Sequence, residues 1–96
     1  MVIEHVILPV AFADRSAFLA AFAKARPLIE ASPGFLGLTL HRPLEDSGGL
    51  LLLVQWESVA AHRDGFRQSS RYQAWRDLLH GFYPVVPAVS YYEAAI

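Results

Sequence analysis

Leu50-Leu51-Leu52-Leu53-Val54 is the stretch on which the fold turns. A strand sends successive side chains to opposite faces, so Leu50, Leu52 and Val54 point one way and Leu51 and Leu53 the other. A half-solvated antiparallel strand alternates apolar with polar; an unbroken apolar run needs cover on both faces. Helices can cover one of them. A chain of 96 residues has little left for the second, and a partner subunit is the expected cover.

The composition carries the same excess. Hydrophobic residues make up 54% of the chain and mean hydropathy is +0.31, high for a small domain that must clothe itself. Residues 1–96 are expected to form one domain, since this length holds a single core. The formal charge of −1, from 8 basic and 9 acidic residues, excludes the basic footprint of a nucleic-acid binder. No stretch approaches the roughly 20 apolar residues of a membrane span. The N-terminus has no basic segment followed by an apolar one and a small-residue cleavage site, so no signal peptide is expected. The absence of cysteine excludes disulfides, thiolate metal sites and cysteine nucleophiles. A cytoplasmic enzyme or binding protein fits this profile.

Outward from the leucine strand, Val2 to Leu8 reads as another strand, with Val2, Glu4, Val6 and Leu8 on one face and Ile3, His5 and Ile7 on the other. Pro9 cannot donate to a ladder and marks its end. Asp14 is placed to cap a helix running to about Ala31, whose Phe18, Ala21, Phe22, Ala25, Leu28 and Ile29 gather on one side. Pro27 lies opposite that stripe, where water can satisfy the carbonyl it frees. Ser32-Pro33-Gly34 stops the helix, and Phe35 to Arg42 is a second strand. Glu45-Asp46-Ser47-Gly48-Gly49 turns it into a hairpin with the leucine strand. Ser58 can cap a short helix through Phe66, and Ser70 with Gln73 forms a capping box for a helix to about Phe82. Pro84 and Pro87 prevent its continuation, and Val89 to Glu93 is the last strand. The order βαββαβ is α+β and ferredoxin-like: a four-stranded antiparallel sheet with helices on one face. Its other face is apolar, and two sheets packed face to face resolve that exposure.

Chemistry-bearing residues collect on the C-terminal helices. Val59, His62 and Phe66 share a face at helical spacing, and His62 is the one ionisable group on it. On the next helix Tyr72, Trp75, Leu79 and Tyr83 face inward, with Arg76 and His80 at the edge. Together with Trp56, Phe82 and Tyr91 or Tyr92 they are expected to border one volume. A mostly apolar cavity with few polar groups is the usual form of a small-molecule site. An aromatic stripe is ordinarily core, and a lone inward histidine is ordinarily structural. Tyr72, if buried, needs a hydrogen-bond partner, for which His62 is a candidate. No metal is expected: His5, His41, His62 and His80 have no ligand spacing. Gly48-Gly49 is a turn rather than a phosphate cradle, and no serine sits in an elbow motif.

Several segments together resemble the antibiotic biosynthesis monooxygenase family, dimeric α+β barrels of about this length. They are Ser32-Pro33-Gly34-Phe35-Leu36-Gly37, the strand Leu50 to Val54 continuing through Gln55-Trp56-Glu57, His62 with Gly65-Phe66-Arg67, and Tyr72-Gln73-Ala74-Trp75-Arg76. The resemblance spans nearly the whole chain. It implies a homodimer through the bare sheet faces and a pocket in each subunit between sheet and helices. Some members of that family oxidise polyketide phenols to quinones with dioxygen and no prosthetic group or metal; others degrade haem, isomerise, or act on small quinols. Haem-degrading members carry an axial histidine about four residues past an inward aromatic. Here Tyr72 is followed at that distance by Arg76, with His62 too early and His80 too late, so haem degradation is not expected.

The function this implies is a cofactor-independent monooxygenase oxidising a small aromatic phenol or hydroquinone with dioxygen. Such a substrate reacts far better as its anion, which requires a base near neutral pH and a water-poor cavity. The expected catalytic residues are His62 as base and Tyr72 as hydrogen-bond partner of the substrate oxygen. Trp56, Phe66, Trp75 and Tyr83 would hold the ring. The alternative is a non-catalytic dimeric barrel that binds a small hydrophobic ligand. A void of a few hundred Å³ reaching His62 favours ligand chemistry over a packed core.

Overall fold

In the computed structural model, which describes residues 1–45 and 48–96, the leucine run is an inner strand of a four-stranded antiparallel sheet. The chain runs β1 (Val2–Leu8), α1 (Arg15–Glu30), β2 (Phe35–His41), β3 (Leu50–Trp56), a π-helical segment (Ala61–Phe66), α2 (Ser70–Leu79) and β4 (Val89–Glu93). The strands lie in the order β2-β3-β1-β4, which is the ferredoxin-like arrangement. β3 alternates as its leucines require. Leu50, Leu52, Val54 and Trp56 are buried, while Leu51, Leu53 and Gln55 are half-buried on the opposite face.

The buried side packs against α1 through Phe18, Phe22, Ala25 and Ile29, the stripe expected there. Burying each such large apolar side chain is worth about 1.5–3 kcal/mol. Pro27 sits inside α1 on its exposed side. On the other side of the sheet, among the described residues, no helix covers Ile3, His5 and Ile7 of β1, and Ile7 is 42% exposed. The strand register sets Leu53 between His5 and Thr39, and sets Ile3 beside the exposed Tyr92 of β4.

Local details depart from expectation at the caps. α1 is entered through a 3₁₀ turn, Phe12–Asp14, so Asp14 already has helical backbone angles and its side chain makes no capping bond. At α2 the cap is Ser69 and not Ser70. Ser69 has the extended backbone a cap needs, and its Oγ accepts from the Tyr72 N–H at 3.3 Å. α2 ends at Leu79, and a 3₁₀ turn, His80–Phe82, completes the helical region before Pro84. Ser58 caps as expected, accepting from the Ala61 N–H at 3.1 Å. Of the hairpin turn between β2 and β3, Asp46 and Ser47 lie outside the described residues.

Gly34 sets where the π-helical segment begins. It adopts φ 86°, a left-handed angle that costs glycine little, and its carbonyl accepts from the Glu57 N–H at 2.8 Å. A Cβ there would lie 2.6 Å from the Cβ of Ala61. The start of β2 and the chain leaving β3 therefore pass within glycine distance, which brings His62 over the sheet.

Candidate functional site

The inner face of β1 reads Val2, Glu4, Val6, Leu8, and Glu4 is the one acid in it. Glu4 pairs with Val54 on one side and Tyr91 on the other, so Glu4 and Tyr91 are neighbours on the helix-covered face. Trp56 ends β3 on that same face. Its indole N–H donates to Glu4 Oε1 at 2.9 Å. The π-helical segment then lays His62 across the group. Its Nε2 lies 3.4 Å from Glu4 Oε1, and its Nδ1 lies 2.6 Å from the Tyr91 hydroxyl. Both contacts to Glu4 use Oε1, so among the described residues no hydrogen bond is made to Oε2. A π turn re-aims its side chains relative to an α turn and is frequent at functional sites; here it aims His62.

Burial sets the protonation states. Glu4 is 5% exposed. Its desolvation raises the carboxyl from 4.5 to about 7, against the lowering influence of the Trp56 hydrogen bond and the Arg67 charge. Desolvation, aided by the Arg67 and Arg63 charges, lowers His62 from 6.5 to about 4. Tyr91 is raised, by desolvation first and then by Glu4, with Arg63 and Arg67 opposing. The group poised near neutrality is the carboxylate, and the imidazole stays neutral.

Between pH 4.5 and 6.5 folding therefore takes a proton from His62 and adds one to Glu4, and this has a measurable consequence. The Glu4 contribution to stability is full below pH 4.5 and lost as pH rises through about 7. The His62 contribution is full above pH 6.5 and lost as pH falls through about 4. Between 4.5 and 6.5 the two slopes oppose, and the pair leaves stability flat. Glu4→Gln is expected to unmask His62, with a denaturant midpoint that falls as pH is lowered from 6.5. His62→Gln is expected to unmask Glu4, with a midpoint that falls as pH is raised from 4.5. Parallel pH curves for these variants and the unmodified protein would contradict the pairing.

A cavity of about 80 Å³ opens beside this group, lined by Glu4, His62, Phe66, Arg67, Tyr72 and Trp75. Tyr83 and His80 complete its wall, and Val86 and Pro87 stand at its edge. Burial pushes the Tyr83 hydroxyl well above its usual range, and His80 is lowered by desolvation and then by Arg76 and Arg67. Phe66 meets Tyr72 and Trp75 edge-on, with ring centres 5.5 and 5.7 Å away. The Arg67 guanidinium lies 5.9 Å from the centre of the Tyr72 ring. The void reaches His62 but is smaller than the few hundred Å³ expected. A second, wider depression lies between Phe12, Arg15, Gly49 and Phe82 and includes none of these shifted groups except Tyr83.

The expected site residues thus come together in part. His62, Phe66, Tyr72, Trp75 and Tyr83 all reach the cavity. Trp56 does not: it is fully buried behind Glu4 and His62, and its N–H is used by Glu4. The partner of His62 is Tyr91 and not Tyr72; the Phe66 ring neighbours both His62 and Tyr72, with centres 6.5 and 5.5 Å away. Glu4 was not among the expected residues, although a lone acid on an apolar strand face was the signal for it. Among the described residues no three His, Asp or Glu side chains converge as a metal site, and no helix is long and apolar enough to cross a membrane.

Comparison with known proteins agrees with this architecture. The family model described as antibiotic biosynthesis monooxygenase matches residues 1–78. The uncharacterised protein YczJ of Bacillus subtilis is 38% identical over 93 residues, covering 97% of this chain and 98% of its own. Among solved structures, a candidate antibiotic biosynthesis monooxygenase of Bordetella bronchiseptica is 33% identical and superimposes with a TM-score of 0.92 over 99% of this chain and 97% of its own. The Mycobacterium tuberculosis haem-degrader MhuD, solved with two haems in its active site, is 21% identical. It gives a TM-score of 0.76 over 100% of this chain and 97% of its own, a likeness of fold.

Proposed function

The chain belongs to the antibiotic biosynthesis monooxygenase family, and from that premise we propose that it oxidises a small phenol or hydroquinone with dioxygen, without a cofactor. The observation that carries this reading is Glu4, a carboxylate held near neutrality at the wall of an aromatic cavity. A general base works best when its pKa lies near the operating pH. Glu4 meets that requirement, and His62, lowered to about 4, does not. The base role therefore passes from the histidine to the glutamate, and His62 supports it.

Glu4 takes the phenolic proton, and Arg67 on the same wall offsets the charge of the phenolate. Tyr72 supplies a hydroxyl at the wall, while Phe66 and Trp75 hold the ring by edge and face contacts. The anion gives its electrons to dioxygen. One oxygen atom bonds to the ring carbon and displaces its hydrogen; the other leaves as water with that proton and the one held by Glu4, so phenol and dioxygen yield quinone and water. Every electron comes from the substrate, and no external reductant is consumed. The small void means that a bound ring displaces Val86 and Pro87 at the edge, since about 150 Å³ is a volume known to admit benzene.

Haem fits this site poorly. Both ring nitrogens of His62 already face partners, Glu4 and Tyr91, and a tetrapyrrole far exceeds 80 Å³. The partner we propose is a second copy of this chain, packed through the open face carrying Ile3, Ile7, Leu51 and Leu53.

Oxygen uptake by the purified protein, dialysed against a chelator and offered a panel of phenols and hydroquinones, tests the reading. Uptake above the protein-free blank, unchanged by dialysis, is the expected result. Activity lost on dialysis and restored by iron or copper would overturn it, as would haem consumption with no phenol oxidised.

A further inference from the structure

Glu4 must be ionised before it can take a proton from substrate, and its position makes loss of a proton to water difficult. It is 5% exposed, and a ring bound in the cavity closes its remaining face. One connected route leaves it. Glu4 Oε1 touches His62 Nε2 at 3.4 Å, and His62 Nδ1 touches the Tyr91 hydroxyl at 2.6 Å. Tyr91 is only half-buried on β4, with Arg63 of the π-helical segment 5.8 Å from its ring centre. Tyr91 does not line the cavity, so contact with substrate does not account for its hydroxyl.

We propose that His62 and Tyr91 form a proton path that ionises Glu4 in the free protein before substrate binds, with Tyr91 as the positioning residue that holds His62 and opens the path to water. The proposal rests on the reading of Glu4 as the base. In the loaded state the acid proton on Glu4 Oε1 faces His62 Nε2, Nδ1–H donates to the Tyr91 oxygen, and the Tyr91 O–H faces water. Three shifts then follow. The Glu4 proton bonds to Nε2, the Nδ1 proton bonds to the Tyr91 oxygen, and the original Tyr91 proton passes to water. Glu4 is left ionised beside Nε2–H, Tyr91 donates to Nδ1, and one proton has left the protein.

The charged and titratable groups around this chain fit that direction of travel. Arg67 and Arg63 face His62 and disfavour an imidazolium, so a proton is not trapped midway. Arg63 also faces Tyr91 and favours proton loss there. Trp56 Nε1–H donates to Glu4 from β3, and Glu4 is the only carboxylate among the described residues shown acting on either partner. Imidazole is suited to the middle position because one nitrogen accepts while the other donates.

The path predicts a coupled tautomer. Long-range proton–nitrogen NMR on the full chain distinguishes protonated from bare imidazole nitrogens, with signals assigned by replacing His5, His41 and His80 in turn. The proton of His62 is expected on Nδ1 below about pH 7 and on Nε2 above it, with a midpoint matching the Glu4 carboxyl carbon shift. A tautomer unchanged through the Glu4 titration overturns the proposal. Tyr91→Phe supplies the second arm. Replacing the hydroxyl with a C–H should slow exchange of the His62 ring N–H with water by about tenfold or more. A merely structural tyrosine predicts faster exchange as packing loosens, and unchanged or faster exchange overturns the path. Neither arm needs a substrate. A protein with the tautomer switch but no oxygen uptake defeats the oxygenase reading alone, and uptake without the switch defeats the path alone.

Discussion

Glu4→Gln is expected to lower turnover by about 10²–10⁴-fold, the range typical for loss of a general base, while the chain remains folded. Glutamine matches glutamate in shape, and its amide oxygen can still accept from the Trp56 N–H that now reaches Glu4 at 2.9 Å. The substitution therefore removes the proton acceptor and leaves the packing. It also removes a buried carboxylate whose ionisation is costly, so above pH 7 the variant should be at least as stable as the unmodified protein. Turnover and denaturant midpoint measured on one preparation separate chemistry from folding. A Glu4→Gln protein that keeps activity within a few-fold, beside a His62→Gln protein that loses it, would return the base role to the histidine.

Leu53→Asp is expected to convert the proposed dimer to a monomer. Leu53 stands mid-sheet on the face no helix covers, flanked in register by His5 and Thr39. Burying a carboxylate there against a second copy, without a partner for it, costs several kcal/mol or forces its protonation. A few kcal/mol exceeds a hundredfold in association. The substituted side chain points away from the core formed by Leu50, Leu52, Val54 and Trp56, so the monomer should keep its secondary structure. Sedimentation at micromolar concentration decides this. An unmodified protein that sediments as a monomer, or a Leu53→Asp protein that still dimerises, would contradict the sheet-face interface.

Much of the fold was legible because it follows from simple periods. The two-residue alternation of Leu50 to Val54 and Val2 to Leu8 gave strands buried on one side and apolar on the other. The helical spacing of Phe18, Phe22, Ala25 and Ile29 gave the face of α1. The same logic brought His62 and Phe66 inward and carried Tyr72, Trp75 and Tyr83 to the cavity. Strand register was not legible, because it couples residues far apart in the chain. Tyr91 reaches Glu4 and His62 only because β4 pairs with β1 in one particular alignment. Local spacing left Tyr91 and Tyr92 undecided beside the same volume and pointed to Tyr72 as the partner of His62. Glu4 was visible as an acid among Val2, Val6 and Leu8, but its role depends on being desolvated under Trp56 and His62. The shift from Ser70 to Ser69 at the cap turns on one backbone conformation, since both serines have the required hydroxyl.

The central claim is that a carboxylate poised near neutrality activates the substrate, and the pH dependence of kcat/KM for oxygen uptake tests it most directly. That ratio reports the ionisation of the free enzyme. It should rise as pH passes through about 7 and then level off, as Glu4 ionises, and the rise should vanish in Glu4→Gln. A profile that stays flat across neutrality, or whose rise survives in Glu4→Gln, would contradict the account.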